Sequence, residues 1–233
     1  MQNQNRNNLT NYIQASNDSL NSPAGSFHPE KDYFLYNELQ IYIKDPLPEN
    51  VDLSQILTTI NQYLPERLIK ESGIEMLMIG QFEELIDREI QSVWKDGTIY
   101  VTNEQSSNDD MMDDIVHEIA HAVEDKYGFE LYSDDLLENE FLLKRRHLYD
   151  ILKSHGYDVQ LEQLLNISYD EEFDMFLYQE VGYEKLAFLT MGLSVSPYAM
   201  TSLREYFATG FEEYFLPNGD RASLKQISPT IHQ

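Results

Sequence analysis

A long apolar stretch in the middle of the chain is interrupted by two histidines and a glutamate. Residues 115–125 read IVHEIAHAVED, and the apolar positions cover most of the circumference of the helix that this pattern predicts. A helix that is apolar nearly all round has to be buried. His117, Glu118 and His121 would then be buried too, at a cost in free energy unless they find partners. The fold therefore has to enclose this helix and supply those partners.

Two explanations account for the two histidines. Residues four apart lie on one face of a helix, so His117 and His121 project side by side and can share a metal ion. Glu118 points about 100° away from His117, beside the metal. In zinc hydrolases with the H-E-x-x-H pattern, such a glutamate takes a proton from a zinc-bound water. The alternative is a buried helix whose histidines have ordinary hydrogen-bond partners.

A catalytic zinc ion needs a third protein ligand, and the chain has no cysteine to provide it. The extended pattern HExxHxxGxxH fails because Tyr127 stands where its last histidine belongs. His147 and His155 are predicted to lie on the surface, beside basic residues and at a helix end. Glu205 lies in LREYFATGFEEYF, where the apolar residues that follow it have core spacing. This pattern favours Glu205 as an inward-pointing third ligand.

The two motifs together resemble a known group of enzymes. HEIAHAVED followed by EYFATGF is similar to the gluzincin metallopeptidases, above all to the anthrax lethal factor type of catalytic domain, which includes the clostridial Pro-Pro endopeptidases. The resemblance covers roughly residues 50–216 and implies a zincin-like domain. It implies that His117, His121 and Glu205 bind one Zn²⁺ ion, and that Glu118 is the general base.

A tyrosine also fits this resemblance. Tyr198 precedes Glu205 by seven residues, as in the family pattern Y-x6-E, and resembles the tyrosine that stabilises the developing oxyanion. The alternative is a tyrosine that only packs. The family often has a second glutamate four residues after the ligand glutamate, and here that position is Thr209. This departure leaves the support of the metal ligands open.

Other acidic residues near the motifs have simpler interpretations. Glu212 and Glu213, towards the end of the second motif, are predicted to be exposed to solvent. Asp125, one turn beyond His121, either orients a ligand histidine or is an exposed acid at a helix end. The helix itself is predicted to end at Gly128.

The order of elements indicates an α+β fold. YFLYNELQIYIKDP, EMLMIG and DGTIYVTN are typical of strands, whereas most segments after residue 105 are helical. We therefore expect a small mixed sheet, the active-site helix and a mostly helical C-terminal half within one domain at residues 29–233. DGTIYVTN resembles the edge strand along which such domains bind an extended peptide.

Residues 1–28 are rich in Asn, Gln and Ser and predict a flexible polar arm, or an arm that becomes ordered on a larger assembly. The formal net charge of −25 disfavours binding to nucleic acid or to an anionic membrane. No apolar run reaches the ~20 residues of a membrane span, and the N-terminus does not resemble a secretory signal. The expected location is intracellular or inside a viral particle.

The sequence predicts a zinc-dependent endopeptidase that acts on a protein or peptide substrate. The rival interpretation is a catalytically weak or inert zincin that is a structural or assembly component of a larger particle such as a phage virion, with the arm as its docking segment. A toxin-like protease exported without an N-terminal signal is a third possibility.

Overall fold

The computed structural model describes residues 33–233, and the predicted arm at residues 1–28 lies outside them. Within the described residues, five strands form one mixed sheet in the order β1-β2-β3-β5-β4. Their bounds are β1 Tyr33–Leu35, β2 Leu39–Ile43, β3 Met76–Ile79, β4 Ser92–Lys95 and β5 Thr98–Val101. β2, β3 and β5 run parallel, while β4 is antiparallel to β5.

The centre of the sheet is the most apolar part of this region. In β3, three of the four residues of the MLMI run are buried. Parallel strands need crossover connections that cover the sheet faces, which explains such continuous apolar runs. The helices between these strands are α1 Leu53–Tyr63, α2 Glu66–Glu71 and α3 Glu83–Arg88.

A tight hairpin determines which strand lies at the edge. Asp96 and Gly97 have φ values of 49° and 84°, and two successive left-handed residues suit the two-residue turns of hairpins. The turn folds β4 antiparallel along β5, with Trp94 opposite Ile99. β5 therefore lies between β3 and β4, and the expectation that DGTIYVTN forms the edge strand is wrong. On this side of the sheet the edge strand is β4.

The helix that carries the HEIAH motif is longer than predicted. α4 spans Asn108–Tyr132 and begins at Ser107, whose hydroxyl accepts a hydrogen bond from the Asp110 N–H. Its dihedral angles depart from helical values at Tyr127 (φ −112°, ψ 15°), one residue before the predicted end at Gly128. The helix then continues beyond this kink. Most of the residues from Met111 to Val123 are buried, as the apolar pattern predicts.

The C-terminal half is mostly helical. Its elements are α5 Leu136–Ser154, α6 Leu161–Leu165, α7 Glu171–Met175, a π-helical segment Phe176–Val181, α8 Tyr183–Leu189, a 3-10 turn Tyr198–Met200, α9 Leu203–Phe215, α10 Arg221–Ile227 and α11 Pro229–His232. The predicted α+β class, with a small mixed sheet and a mostly helical C-terminal half, is confirmed. Among the helices of residues 33–233, none is both long enough and apolar enough to cross a membrane.

Candidate metal centre

Two elements far apart in sequence bring three potential metal ligands together. The Nε2 atoms of His117 and His121 lie 3.1 Å apart, and Glu205 Oε2 lies 2.9 Å from His117 Nε2. Glu205 Oε1 lies 3.5 Å from His121 Nε2. Ligands of a tetrahedral zinc ion at ~2.0 Å lie about 3.3 Å from one another. The three predicted ligands therefore lie close enough together to hold one metal ion.

Local structure places Glu205 at the start of α9. Ser202 caps this helix, and its hydroxyl accepts a hydrogen bond of 3.1 Å from the Glu205 N–H. Glu205 therefore lies in the first turn of a helix that packs against α4. Its side chain is buried, as is that of His121, while His117 is slightly more accessible. The three groups satisfy the requirement for partners that their burial imposes.

The electrostatics of the three groups are coupled. Burial alone would raise the pKa of the Glu205 carboxyl, but hydrogen bonds from His117 and His121 outweigh burial and lower this pKa to about 2. Burial would lower the pKa of His117, yet its contacts with Glu205 and Glu212 raise that pKa well above the usual value. The pKa of His121 is raised in the same way by Glu124 and Glu205, against burial. The carboxylates therefore favour positive charge at this position.

Glu212 is part of the site, so the prediction that it is exposed to solvent is wrong. The ring Nδ1 of His117 contacts Glu212 Oε1, and Glu212 is partly buried. Positions 205 and 212 are two helical turns apart and lie on the same face, with Thr209 buried between them. A carboxylate on the second nitrogen of a ligand histidine fixes the orientation of the ring. Glu212 thus provides the support that Thr209 cannot. Glu213 is also partly buried, and its carboxylate accepts a hydrogen bond from the Asp220 N–H.

Glu118 lies beside the ligands and contacts the edge strand. Its side chain is buried, with 4% of its surface exposed. Oε1 accepts a hydrogen bond of 2.7 Å from the Ser92 hydroxyl, and Oε2 accepts one of 2.5 Å from the Trp94 N–H. β4 therefore runs next to the predicted general base. Spacing within the motif predicts the direction of Glu118, but nothing in the motif indicates these two donors.

Tyr198 lies near His117, the most accessible of the three potential ligands. Its ring centroid is 6.2 Å from that of His117, and 36% of its surface is exposed. Burial and the nearby Glu205 raise the pKa of its hydroxyl above the usual value, which keeps the phenol protonated at neutral pH. A protonated phenol beside His117 can donate a hydrogen bond to an oxygen that binds at the site.

An arginine that sequence reasoning missed borders the other histidine. Arg204 Nε donates a hydrogen bond of 3.0 Å to His121 Nδ1 and lies 3.1 Å from Glu124 Oε2. Asp125 accepts hydrogen bonds from Arg204 and from the Trp94 indole, and it is exposed. Asp125 therefore contacts its neighbours without touching a histidine ligand. In the sequence, the only indication of this role is that Arg204 directly precedes the ligand candidate Glu205.

His147 on α5 and His155 directly after it lie apart from this group. His147 and His155 are exposed, as predicted, and neither belongs to a potential metal-binding group within the described residues.

Comparison of the chain with protein-family models, with curated proteins and with solved structures found no match. What the site can do therefore follows from the contacts of its own residues.

Proposed function

We propose that this chain is a zinc-dependent endopeptidase with a zincin-like domain similar to the lethal factor type. The observation that carries the proposal is the grouping of His117, His121 and Glu205, with a buried carboxylate, Glu118, next to His117 on the same helix. Two imidazoles and one carboxylate are a typical ligand set for catalytic zinc. Tyr198 borders His117, and the edge strand β4 borders Glu118.

The donor set fits zinc and disfavours several other ions. Mg²⁺ and Ca²⁺ prefer all-oxygen ligands, and the chain has no thiolate for the softer metals. Zinc held by two imidazole nitrogens and a carboxylate supplies a Lewis acid and lowers the pKa of water towards ~7. Because the carboxylates raise the pKa values of both histidines, metal binding has to release protons from the site.

The side chains around the ligands divide the chemical work of peptide hydrolysis. Glu118 takes a proton from the attacking water and later delivers it to the leaving amine. The hydrogen bonds from Ser92 and Trp94 hold its carboxylate in place for this transfer. The Tyr198 hydroxyl donates a hydrogen bond to the oxyanion that forms when the water adds to the scissile carbonyl.

An extended peptide is the substrate that the edge strand suits best. The Trp94 N–H points towards Glu118 and so lies on the side of β4 away from β5. A peptide that pairs along this side of β4 has to displace Glu118 from the Trp94 N–H and then lies directly beside that carboxylate. The net charge of −25 favours basic residues in a protein substrate, and it disfavours nucleic acid as a partner.

A structural metal domain is the second candidate. Both oxygens of Glu118 accept hydrogen bonds from β4, so the carboxylate has to exchange at least one of these partners before it can act as a base. If it does not, the zinc ion would only connect α4 with α9. The chain would then be an inert component of a larger assembly.

Zinc content and cleavage of a peptide library separate the two candidates. The zinc-loaded wild type is expected to cut, whereas Glu118→Gln keeps its zinc and loses about 10²–10⁴-fold in kcat. Glu130→Gln removes a charge from the exposed end of the same helix and is expected to retain both properties. Equal cleavage by the wild type and Glu118→Gln would exclude the peptidase. Full zinc content in His117→Ala would exclude the metal centre.

A further inference from the structure

A buried arginine outside the metal centre binds backbone carbonyls of two separate segments. Arg145 lies on α5, and only 1% of its surface is exposed. Its five N–H groups make five hydrogen bonds, all to backbone oxygens. The acceptors are Leu164 (2.9 Å), Gln163 (2.8 Å), Asn166 (3.3 Å), Thr201 (3.1 Å) and Met200.

The two segments have different positions relative to the site. Gln163 and Leu164 lie in α6, and Asn166 directly follows this helix. Met200 and Thr201 lie between Tyr198 and Glu205, at the end of the 3-10 turn that carries Tyr198. Arg145 therefore connects this turn to the body of the C-terminal half.

Burying the Arg145 guanidinium costs free energy. Burial lowers the pKa of the Arg145 guanidinium to about 9, and its polar partners are neutral carbonyls. The planar group lies over the Phe173 ring, 4.3 Å from the centroid. An apolar side chain of similar volume often stabilises a core better than a buried ion does. What an apolar side chain cannot do is hold five carbonyls in fixed directions, which a guanidinium can.

The turn that carries Tyr198 depends on such contacts. It is three residues long, and the Thr201 hydroxyl donates back to the Tyr198 carbonyl at 2.8 Å. Within residues 33–233, no hydrogen bond holds the Tyr198 hydroxyl itself. The backbone of the turn therefore determines where the phenol lies relative to His117.

We propose that Arg145 is a positioning residue that holds the Tyr198 turn, and thereby the phenol, against His117. Its effect on catalysis rests on the proposed peptidase function, whereas its effect on the position of Tyr198 does not. Two measurements keep these two parts separate.

The first measurement is a double-mutant cycle on peptide cleavage, with rates per zinc-loaded molecule. Tyr198→Phe is expected to lower kcat by about 10²-fold with little change in KM, as for loss of one oxyanion donor. Arg145→Lys keeps the charge but has three donors in place of five, and it should lower kcat by at least ~10-fold. In the Tyr198→Phe background, Arg145→Lys should cause no further loss of kcat, because the two residues act as one unit.

Lys144→Met is the matched control. Lys144 is the neighbouring buried cation, and it donates to the Leu193 and Ile227 carbonyls, which lie outside the Tyr198–Glu205 segment. It should lower Tm as Arg145→Lys does, but leave kcat unchanged. If Lys144→Met lowers kcat as much as Arg145→Lys, or if the losses of Arg145→Lys and Tyr198→Phe multiply, the proposal is overturned.

The second measurement needs neither metal nor cleavage. In protein labelled with 3-fluorotyrosine, the ¹⁹F resonance of Tyr198 is assigned by its loss in Tyr198→Phe. Arg145→Lys should shift or broaden this resonance and leave that of Tyr63 unchanged, while Lys144→Met should leave both unchanged. If Arg145→Lys does not fold, Phe173→Leu takes its place, because it removes the ring under the guanidinium. Phe173→Leu should shift the Tyr198 resonance in the same direction by a smaller amount. An unchanged Tyr198 resonance overturns the proposal, whereas a wild type that cuts no peptide overturns only the peptidase.

Discussion

Individual carboxylate side chains set the charge around the candidate metal centre and the orientation of its histidines. His117 lies between two of them, since one ring nitrogen faces Glu205 and the other faces Glu212. His121 similarly has Glu205 on one side and the Arg204–Glu124 pair on the other. The second nitrogen of His117 therefore faces an acceptor, as is usual for ligand histidines. Nδ1 of His121 instead accepts from Arg204, so to bind a metal through Nε2 this ring has to direct its Nδ1 proton to Glu124 Oε2, 3.5 Å away.

Loss of the Glu212 charge should weaken metal binding. Glu212→Gln keeps the size of the side chain but removes the negative charge beside His117, so zinc affinity should fall about tenfold. Competition with a chromophoric chelator measures the affinity. Glu213→Gln makes the same change one residue away, where the carboxylate binds the Asp220 N–H, and should have little effect. Equal losses in both variants would indicate a general charge effect.

Asp113 should make the protein less stable as the pH rises. Burial raises the pKa of its carboxyl to about 7, and repulsion from nearby carboxylates adds to the increase. These carboxylates belong to Glu212, Asp109, Asp114 and Asp110. Between about pH 4 and 7 the folded protein keeps a proton that the unfolded chain has released, so the free energy of unfolding falls with rising pH.

The variant Asp113→Asn removes this titration. At pH 8 it should increase the free energy of unfolding by about 1 kcal/mol, a value well below the full shift because the carboxyl is only partly buried. At pH 4 it should have almost no effect. Urea unfolding at both pH values in the presence of EDTA measures the difference. A stabilisation that is equal at both pH values would contradict the titration of Asp113.

At the scale of elements, α9 has to approach both α4 and the C-terminal helix α11 closely. Gly210 makes the second approach possible, because a Cβ atom there would lie 2.7 Å from Ile231 Cδ1. Its φ angle is helical, so the lack of a side chain serves packing and not backbone freedom. The C-terminal residues therefore cover the helix that supplies Glu205.

Gly210→Ala should lower stability although alanine favours helices. Overpacking costs about 1–3 kcal/mol, which exceeds the gain of about 1 kcal/mol from helix propensity. In an Ile231→Ala background the clash is largely removed, so Gly210→Ala should become stabilising there. Thermal unfolding of the four proteins of this cycle tests the reversal of sign. Destabilisation of the same size in both backgrounds would show that Ile231 is not the obstacle.

Prediction of the elements from sequence succeeds where the pattern is local. The apolar periodicity predicts α4, and the DGTIYVTN run predicts a strand where β5 lies. Prediction fails at the end of α4, which continues for one turn beyond its kink at Tyr127. There the Tyr127 hydroxyl donates a hydrogen bond to Glu71 at the end of α2, a contact that no local pattern indicates.

At the scale of the whole molecule, the candidate metal centre connects the first motif with a helix 88 residues away. A metal ion that binds only the folded protein stabilises it by mass action. Free zinc at 1,000 times its Kd should therefore increase the free energy of unfolding by about 4 kcal/mol, and EDTA should reverse this increase. Calorimetry with and without zinc measures the shift in Tm.

Two variants make this result specific. His121→Ala should abolish the zinc-dependent shift in Tm, because it removes a ligand. Glu118→Gln should keep the shift, because Glu118 lies outside the ligand group. A shift that persists in His121→Ala would place the stabilising ion elsewhere.

The local features of this site can be predicted from the amino-acid sequence alone. An apolar helix with His117 and His121 on one face, and an inward-pointing Glu205 on a second helix, follow from helical periodicity. The packing of helices and strands determines that Glu212 faces His117, that β4 borders Glu118, and that Arg145 binds the carbonyls of Met200 and Thr201. The physical reason is that periodicity gives the face on which a side chain lies. The distance between faces that are 95 residues apart, such as those of His117 and Glu212, depends on how the helices pack.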